Sequence, residues 1–209
     1  MAIALVLNAK KGISSRQLAR DLDIHSESAW RMGHQIRKAM KQHPDLLTGI
    51  IEMDETYVGG KPRPGKGKSK RGRGTNKVPV IGMVERNGSA KVFVSIDRKI
   101  DEKRMLELVR GHIDASDGNW LLTDEFRSYR RMEDIVAHLT INHSECYADG
   151  DVHTNTIESF WAILKRGIVG QYHRVTLKYL QAYVDEFAWR YNRRMSGCAF
   201  NELIMEGVK

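Results

Sequence analysis

Residues 49–60, GIIEMDETYVGG, and residues 78–97, VPVIGMVERNGSAKVFVSID, decide how the chain is read. The first is a strand. The second is two strands joined at Asn87-Gly88, a dipeptide whose tolerance of left-handed backbone angles suits a tight hairpin. Downstream the period changes. DEKRMLELVRGHID (101–114) has the apolar spacing of a helix, and NWLLTDE (119–125) is a short buried strand leading into a helix from about Phe126. IVAHLTINH (135–143) is another strand. HTNTIESFWAILKRGI (153–168) reads as a helix stopped near Gly167, and a longer helix follows from Thr176 to Arg194. This alternation predicts an α/β domain, a mixed sheet with helices on its faces.

Upstream, SSRQLARDLDI (14–24) and ESAWRMGHQIRKAM (27–40) read as two short helices around a tight break. Asp23 falls where the turn needs left-handed geometry, and Ser26 can cap the second helix. The spacing of Ala19, Ile24, Ala29 and Met32 resembles the packing positions of a helix-turn-helix. In that motif the second helix enters the major groove, so His25, Ser26, Glu27, Trp30, Arg31 and His34 are candidate DNA contacts. An ordinary helical hairpin has the same pattern. The turn-like Pro44 region divides the chain into a helix-turn-helix module (1–45) and a second domain (46–209) whose element order is that of a ribonuclease-H-like fold.

The formal charge of +8 is not spread evenly. Residues 59–77 hold Lys61, Arg63, Lys66, Lys68, Lys70, Arg71, Arg73 and Lys77 with no acid. Setting these eight aside leaves 26 basic against 26 acidic residues, so the basicity is one Gly-rich loop. Such a loop cannot bury a core, and its natural partner is a polyanion, because each phosphate contact releases counterions. A solubilising insertion is the plainer alternative. The last helix adds Arg190, Arg193 and Arg194, readable as DNA-backbone contacts or as a solvated basic face.

Other classes fall away. No apolar run nears the roughly 18 residues of a membrane span. The opening run lacks a basic flank and a cleavage site, so a secretory leader is not expected. Two cysteines, Cys146 and Cys198, make no disulfide framework or four-cysteine zinc site, which points to a cytoplasmic protein. The dispersed histidines show no zinc-enzyme spacing.

Three acids stand out. Asp54 interrupts an apolar strand, where an unpaired carboxylate is costly unless the face is open to solvent. Asp124 ends a buried strand, where α/β sheets collect ligands and where Asp also caps a following helix. Glu158 lies on a helix whose Ile157, Phe160, Trp161 and Leu164 form the buried stripe, while Asn155, Glu158 and Lys165 share another face. Helical glutamates are mostly solvated, but a seven-residue gap to Lys165 is too long for a routine helical ion pair. A central strand, an adjacent strand end and an overlying helix can converge three carboxylates on Mg²⁺, which prefers hard oxygen donors. Two such ions suit phosphoryl transfer.

MDETYVGGK, LLTDEFRSY and HTNTIESFWAILKRGIVGQYHRVTLKYLQAYVDEFAWRYNRR resemble the ISXO-like group of bacterial insertion-sequence transposases, in the DDE superfamily with a ribonuclease-H-like catalytic domain. The likeness includes KKGISSRQLARDL and covers essentially the whole chain. It implies that Asp54, Asp124 and Glu158 are the catalytic acids holding two Mg²⁺ (or Mn²⁺) ions, and that Lys165 is the positively charged residue that accompanies the third acid and positions a phosphate. Some of the wider group use Asn at the third position, which leaves Asn155 as a rival ligand or helper. Relatives commonly carry a cysteine-rich segment ahead of the helix-turn-helix. This chain begins at MAIALVLNAKKG without one, so a truncated copy or a misassigned start is expected.

The resemblance implies a transposase that cuts phosphodiesters at element ends and joins the freed 3′-hydroxyls to target DNA. It implies a homodimer or higher oligomer on DNA, nucleoid-associated in a bacterial cytoplasm, with no membrane partner. The alternatives are a truncated, non-catalytic DNA-binding remnant and an ordinary ribonuclease-H-like nuclease.

Overall fold

The computed structural model describes residues 1–42, 44–60, 76–125, 127–129, 131–141 and 153–208. Along the chain come α1 (Ala2–Asn8), α2 (Ser15–Leu22), α3 (Ser26–Ala39), β1 (Ile50–Val58), β2 (Val78–Glu85), β3 (Ala90–Val94), α4 (Glu102–His112), β4 (Trp120–Asp124), β5 (Ala137–Ile141), α5 (Asn155–Gly167), α6 (Leu177–Asn192) and α7 (Ala199–Val208). They group into two compact units, residues 43–161 and residues 1–42 with 162–209.

The first unit holds a five-stranded sheet of order β3-β2-β1-β4-β5. β1, β2 and β3 form an antiparallel meander, and β4 and β5 run parallel to β1. This is the ribonuclease-H-like α/β sheet expected from the element order. Asn87 takes φ 60° in the β2–β3 hairpin, where Gly88 N–H donates to the Glu85 carbonyl at 3.1 Å. Asn accepts that conformation because its side chain can bond locally. One face of the sheet packs Ile51, Met53, Ile81, Met83 and Leu121 against Met105, Leu106 and Val109 of α4. Asp101 caps α4, accepting from the Arg104 amide at 2.9 Å.

Downstream of β4 the expected helix is replaced by two 3₁₀ turns, Arg127–Tyr129 and Met132–Asp134. Phe126 itself lies outside the described residues. Tyr129 and Met132, carried by these short turns, are buried in the core of the sheet unit.

The second unit is helical. Ser14 accepts from the Gln17 amide at 3.2 Å at the start of α2, and Asp23 closes the helix at φ 52°, ψ 49°. That is the left-handed turn expected there. His25, not Ser26, occupies the cap position of α3. Val6, Leu18, Ala19, Ala29, Ile36, Trp189 and Leu203 form the core. The expected division at 45/46 assigns every C-terminal helix to the sheet domain, whereas these contacts gather residues 162–209 with 1–42. The reason lies in α6. It buries Glu186 against Arg37 of α3 at 2.7 Å and Trp189 in the same core as Val6. α5 continues past Gly167 into a π-helical turn, Ile168–Tyr172.

Candidate active site

β1 and β4 pair in parallel up to Glu52↔Leu122. Asp54 and Asp124 each lie two residues beyond that last pair, so strand alternation puts them on the same face where the two strands part. The result is a close acidic group. Ligand oxygens of Asp54, Glu55 and Asp124 all lie within 4.8 Å of one another, and all three residues are half-buried. Burial pushes the Asp54 carboxyl up to about 7, and the charges of Glu55 and Asp124 push the same way. The backbone of Glu55 and the indole of Trp161 oppose this by bonding the ionised form.

Trp161 reaches Asp54 because of a glycine. Asp54 is paired across β1 and β2 with Gly82, and a Cβ there would lie 2.6 Å from the Trp161 ring and 3.3 Å from Ile157. With no side chain at Gly82, the indole lies on the sheet and its Nε1–H donates to Asp54 Oδ2 at 2.9 Å. Tyr129, buried beneath, donates its hydroxyl to Glu55 Oε2 at 2.9 Å. Burial and then the charges of Glu55, Asp54 and Asp124 hold that phenol well above its ordinary range, so it remains a donor.

The face shared by Glu52, Asp54 and Thr56 is not open to solvent. Glu52 is 0% exposed and accepts from Arg86 Nε at 2.7 Å, Thr156 Oγ1 at 2.9 Å and the Ile157 amide at 2.9 Å. Arg86 also donates to the His153 carbonyl at 2.9 Å.

The structure therefore joins Asp54 to Asp124 but puts Glu55, not Glu158, in the tight group. Glu158 is exposed on the first turn of α5, with its amide bonded to the Thr154 carbonyl at 3.1 Å. Asn155 and Lys165 are also exposed. The expected stripe of Ile157, Phe160, Trp161 and Leu164 is buried. Sequence reasoning passed over Glu55 and Tyr129. Successive strand residues ordinarily face opposite ways, and nothing local marks a tyrosine as the partner of a distant carboxylate.

The DNA-contact candidates divide. In α3, His25, Ser26, Glu27 and Arg31 are exposed, and Glu27 pairs with Arg31 at 2.7 Å. Trp30 and His34 meet with ring centroids 4.3 Å apart and planes tilted by 60°, and His34 packs at 4.7 Å on Tyr179. Among the described residues His34 Nε2 is buried without a partner, and burial followed by the charges of Arg37 and Lys38 lowers its pKa. Such a ring is packed as an apolar disc. Of the basic loop, Lys77 is described; Lys61, Arg63, Lys66, Lys68, Lys70, Arg71 and Arg73 lie outside the described residues. Arg190 and Arg193 are engaged internally, the first with Glu186 at 2.9 Å and the second with Glu202 at 2.7 Å. Within the helical unit, Lys11, Lys165 and Arg166 line a cleft of about 630 Å³ with Val169, Gly170 and Gln171.

No helix among the described residues is long and apolar enough to cross a membrane. Solved structures similar to the chain include the HTLV-2 integrase catalytic core domain in complex with magnesium (trimeric form), at 15% identity and TM-score 0.39 over 71% of this chain and 87% of that one. A Mos1 transposase paired-end complex with left transposon end is similar at 12% identity and TM-score 0.36 over 98% of this chain and 77% of that one. An uncharacterized protein in the transposable element ISH50 of Halobacterium salinarum is 26% identical over 178 residues, 78% of this chain. That match spans 60% of the Halobacterium protein's own length. An uncharacterized transposase-like protein of Haemophilus influenzae is 26% identical over 103 residues, 49% of this chain and 81% of that one. Residues 46–192, well over half of the chain, match the ISXO2-like transposase domain. With that match and an acidic group at the parting of two parallel strands, the chain belongs to the ISXO2-like transposase family of the DDE superfamily.

Proposed function

We propose that the chain catalyses metal-dependent cutting of DNA at the ends of an insertion sequence and joining of the freed 3′-hydroxyls to target DNA. The observation that carries this is the gathering of Asp54, Asp124 and Glu55 oxygens within 4.8 Å. Burial first, and then the charges of Glu55 and Asp124, raise the Asp54 pKa, and hard carboxylate donors this close suit a divalent cation. Asp54 and Asp124 would hold Mg²⁺ or Mn²⁺, two ions in all, with the third ligand supplied by Glu158 or Asn155. Bound there, the ions supply charge neutralisation and activation of the attacking oxygen.

The chain's own groups do the rest. Trp161 N–H and the Glu55 backbone bond the Asp54 carboxylate and so fix its orientation. Tyr129 orients Glu55. Lys165, in a basic cleft with Lys11 and Arg166, contacts a backbone phosphate as a point charge. Water attacks the scissile phosphodiester and expels the element's 3′-hydroxyl; that hydroxyl attacks a target phosphodiester in a second in-line displacement, in which the target's P–O3′ bond breaks and its 3′-oxygen leaves as a hydroxyl. No serine or tyrosine nucleophile is needed.

We place DNA binding on the exposed residues of α3 (His25, Ser26, Glu27, Arg31) with Trp30 at their margin, and on the basic loop 59–77, which would clamp phosphates without reading sequence. Synapsis of two element ends calls for a dimer or higher assembly on DNA, within the bacterial cytoplasm and nucleoid. The test is cleavage of a plasmid carrying the element's ends with Mg²⁺, alongside gel-shift binding. Wild type should cut, and Asp54→Asn and Asp124→Asn should bind without cutting. Loss in Glu158→Gln but not Asn155→Ala identifies Glu158 as third ligand; the reverse identifies Asn155. Binding without cleavage by the wild type would make the chain a DNA-binding remnant.

A further inference from the structure

Glu52 has no place in the reaction as described, yet it is the most completely buried acid of the sheet unit's described residues. A carboxylate at 0% exposure is strongly unfavourable unless every lone pair is answered, and here the answers come from specific places. Thr156 Oγ1 and the Ile157 amide belong to the first turn of α5, and both donate to Glu52 at 2.9 Å. The amides of a helix's first turn have no partner within the helix, and its dipole favours a negative charge there. Glu52 thus caps α5 from the sheet. Arg86, from the β2–β3 hairpin, bonds Glu52 at 2.7 Å and the His153 carbonyl at 2.9 Å, tying down the residue two positions before α5 begins.

This fastening lies two residues from Asp54 on β1 and one residue from Glu158 on α5. A turn further along, Trp161 meets Asp54 over Gly82. Glu52 fixes where α5 starts and Gly82 fixes how closely it lies, so the two together set the axial and rotational position of the helix. We infer that Glu52 and Arg86 are positioning residues that set how α5 presents Glu158 and Trp161 to Asp54 and Asp124. The inference rests on the metal-site reading above and deepens it.

The test is Mn²⁺ titration of the whole chain, with free ion counted by its paramagnetic resonance signal, and DNA cleavage measured over the same Mn²⁺ range. Far-UV circular dichroism and melting check the fold of wild type, Glu52→Gln, Arg86→Lys, Thr156→Val, Thr156→Ser and Asp54→Asn. Residues that orient metal ligands typically change affinity by 10- to 100-fold, so Glu52→Gln and Arg86→Lys should raise half-saturating Mn²⁺ by roughly tenfold. Cleavage at saturating Mn²⁺ should recover. Thr156→Val should shift the midpoint the same way, and Thr156→Ser, which keeps the hydroxyl, should restore it. The Thr156 pair decides the matter if Glu52→Gln fails to fold, because a midpoint shift in a Thr156→Val protein that is fully folded by circular dichroism cannot come from a lowered folded fraction. Wild-type midpoints in folded Glu52→Gln and Thr156→Val would overturn the inference if Asp54→Asn still abolishes binding. An unchanged midpoint in Asp54→Asn as well would overturn the metal-site reading itself.

Discussion

Glu186 in α6 and Asp54 in β1 are both carboxylates set into the protein, and their surroundings have opposite sign. Burial alone would raise the Glu186 pKa, but Arg37 and Arg190 hold it below the ordinary value. Tyr172 adds a hydroxyl at 3.0 Å, so the charge is balanced within the helical unit. Burial pushes the Asp54 carboxyl up to about 7, and the charges of Glu55 and Asp124 add to that rise, while the indole of Trp161 bonds its ionised form. An acid balanced by arginines holds a fold together. An acid pressed against other acids is the group that the proposed function assigns to a cation.

Neutralising each acid should separate the two environments. Asp54→Asn should remove Mg²⁺-dependent DNA cleavage by roughly 10³-fold or more, since charge stabilisation by a bound ion amounts to several kcal/mol. The same variant should melt no lower than wild type without metal at pH 8. Glu186→Gln should do the reverse. It leaves Arg37 buried without its counter-charge and should lower unfolding free energy by about 3 kcal/mol in urea titration. A strong destabilisation by Asp54→Asn, or none by Glu186→Gln, would break the contrast.

The next effect is pH dependence. The Asp54 carboxyl ionises near 3.8 when unfolded and near 7 when folded, so the native state binds more protons between those values. Its contribution favours the fold at low pH and is lost as pH rises through that window, by up to about 1.4 kcal/mol per pH unit. Mg²⁺ should restore stability at pH 8 and do little at pH 5, where the proton occupies the site. Melting in paired buffers with and without Mg²⁺ checks this, after subtraction of the Asp54→Asn profile. Gly82→Ala tests the approach of Trp161 to Asp54. A Cβ 2.6 Å from the ring should cost about 1 to 2 kcal/mol and alter tryptophan emission. At the small end, Glu27→Gln removes an exposed α3 pair and should change stability by less than about 0.5 kcal/mol.

How much of this was legible in the sequence follows from the range of the forces involved. The strand at 49–60, the Asn87-Gly88 hairpin and the left-handed Asp23 are local, and local patterns revealed them. Asp54 and Asp124 each stood out only weakly, because a solvent-facing strand position and a helix cap explain them as well; that their oxygens meet comes from the parting of β1 and β4. The partners of Glu52 were not legible, since Arg86 and Thr156 lie 34 and 104 residues away. The assignment of α6 was equally hidden. Its apolar stripe says that it packs, and only the meeting of Glu186 with Arg37 across 149 residues says against what. Glu158 remains apart from the tight acidic group of Asp54, Glu55 and Asp124.

The most direct test of the account is Mg²⁺-dependent nicking of element-end DNA by wild type and Asp54→Asn side by side, with binding followed in parallel. The account predicts that wild type nicks and that Asp54→Asn binds equally well without nicking. Equal nicking by both proteins would contradict it, as would a wild type that binds but cuts with neither Mg²⁺ nor Mn²⁺.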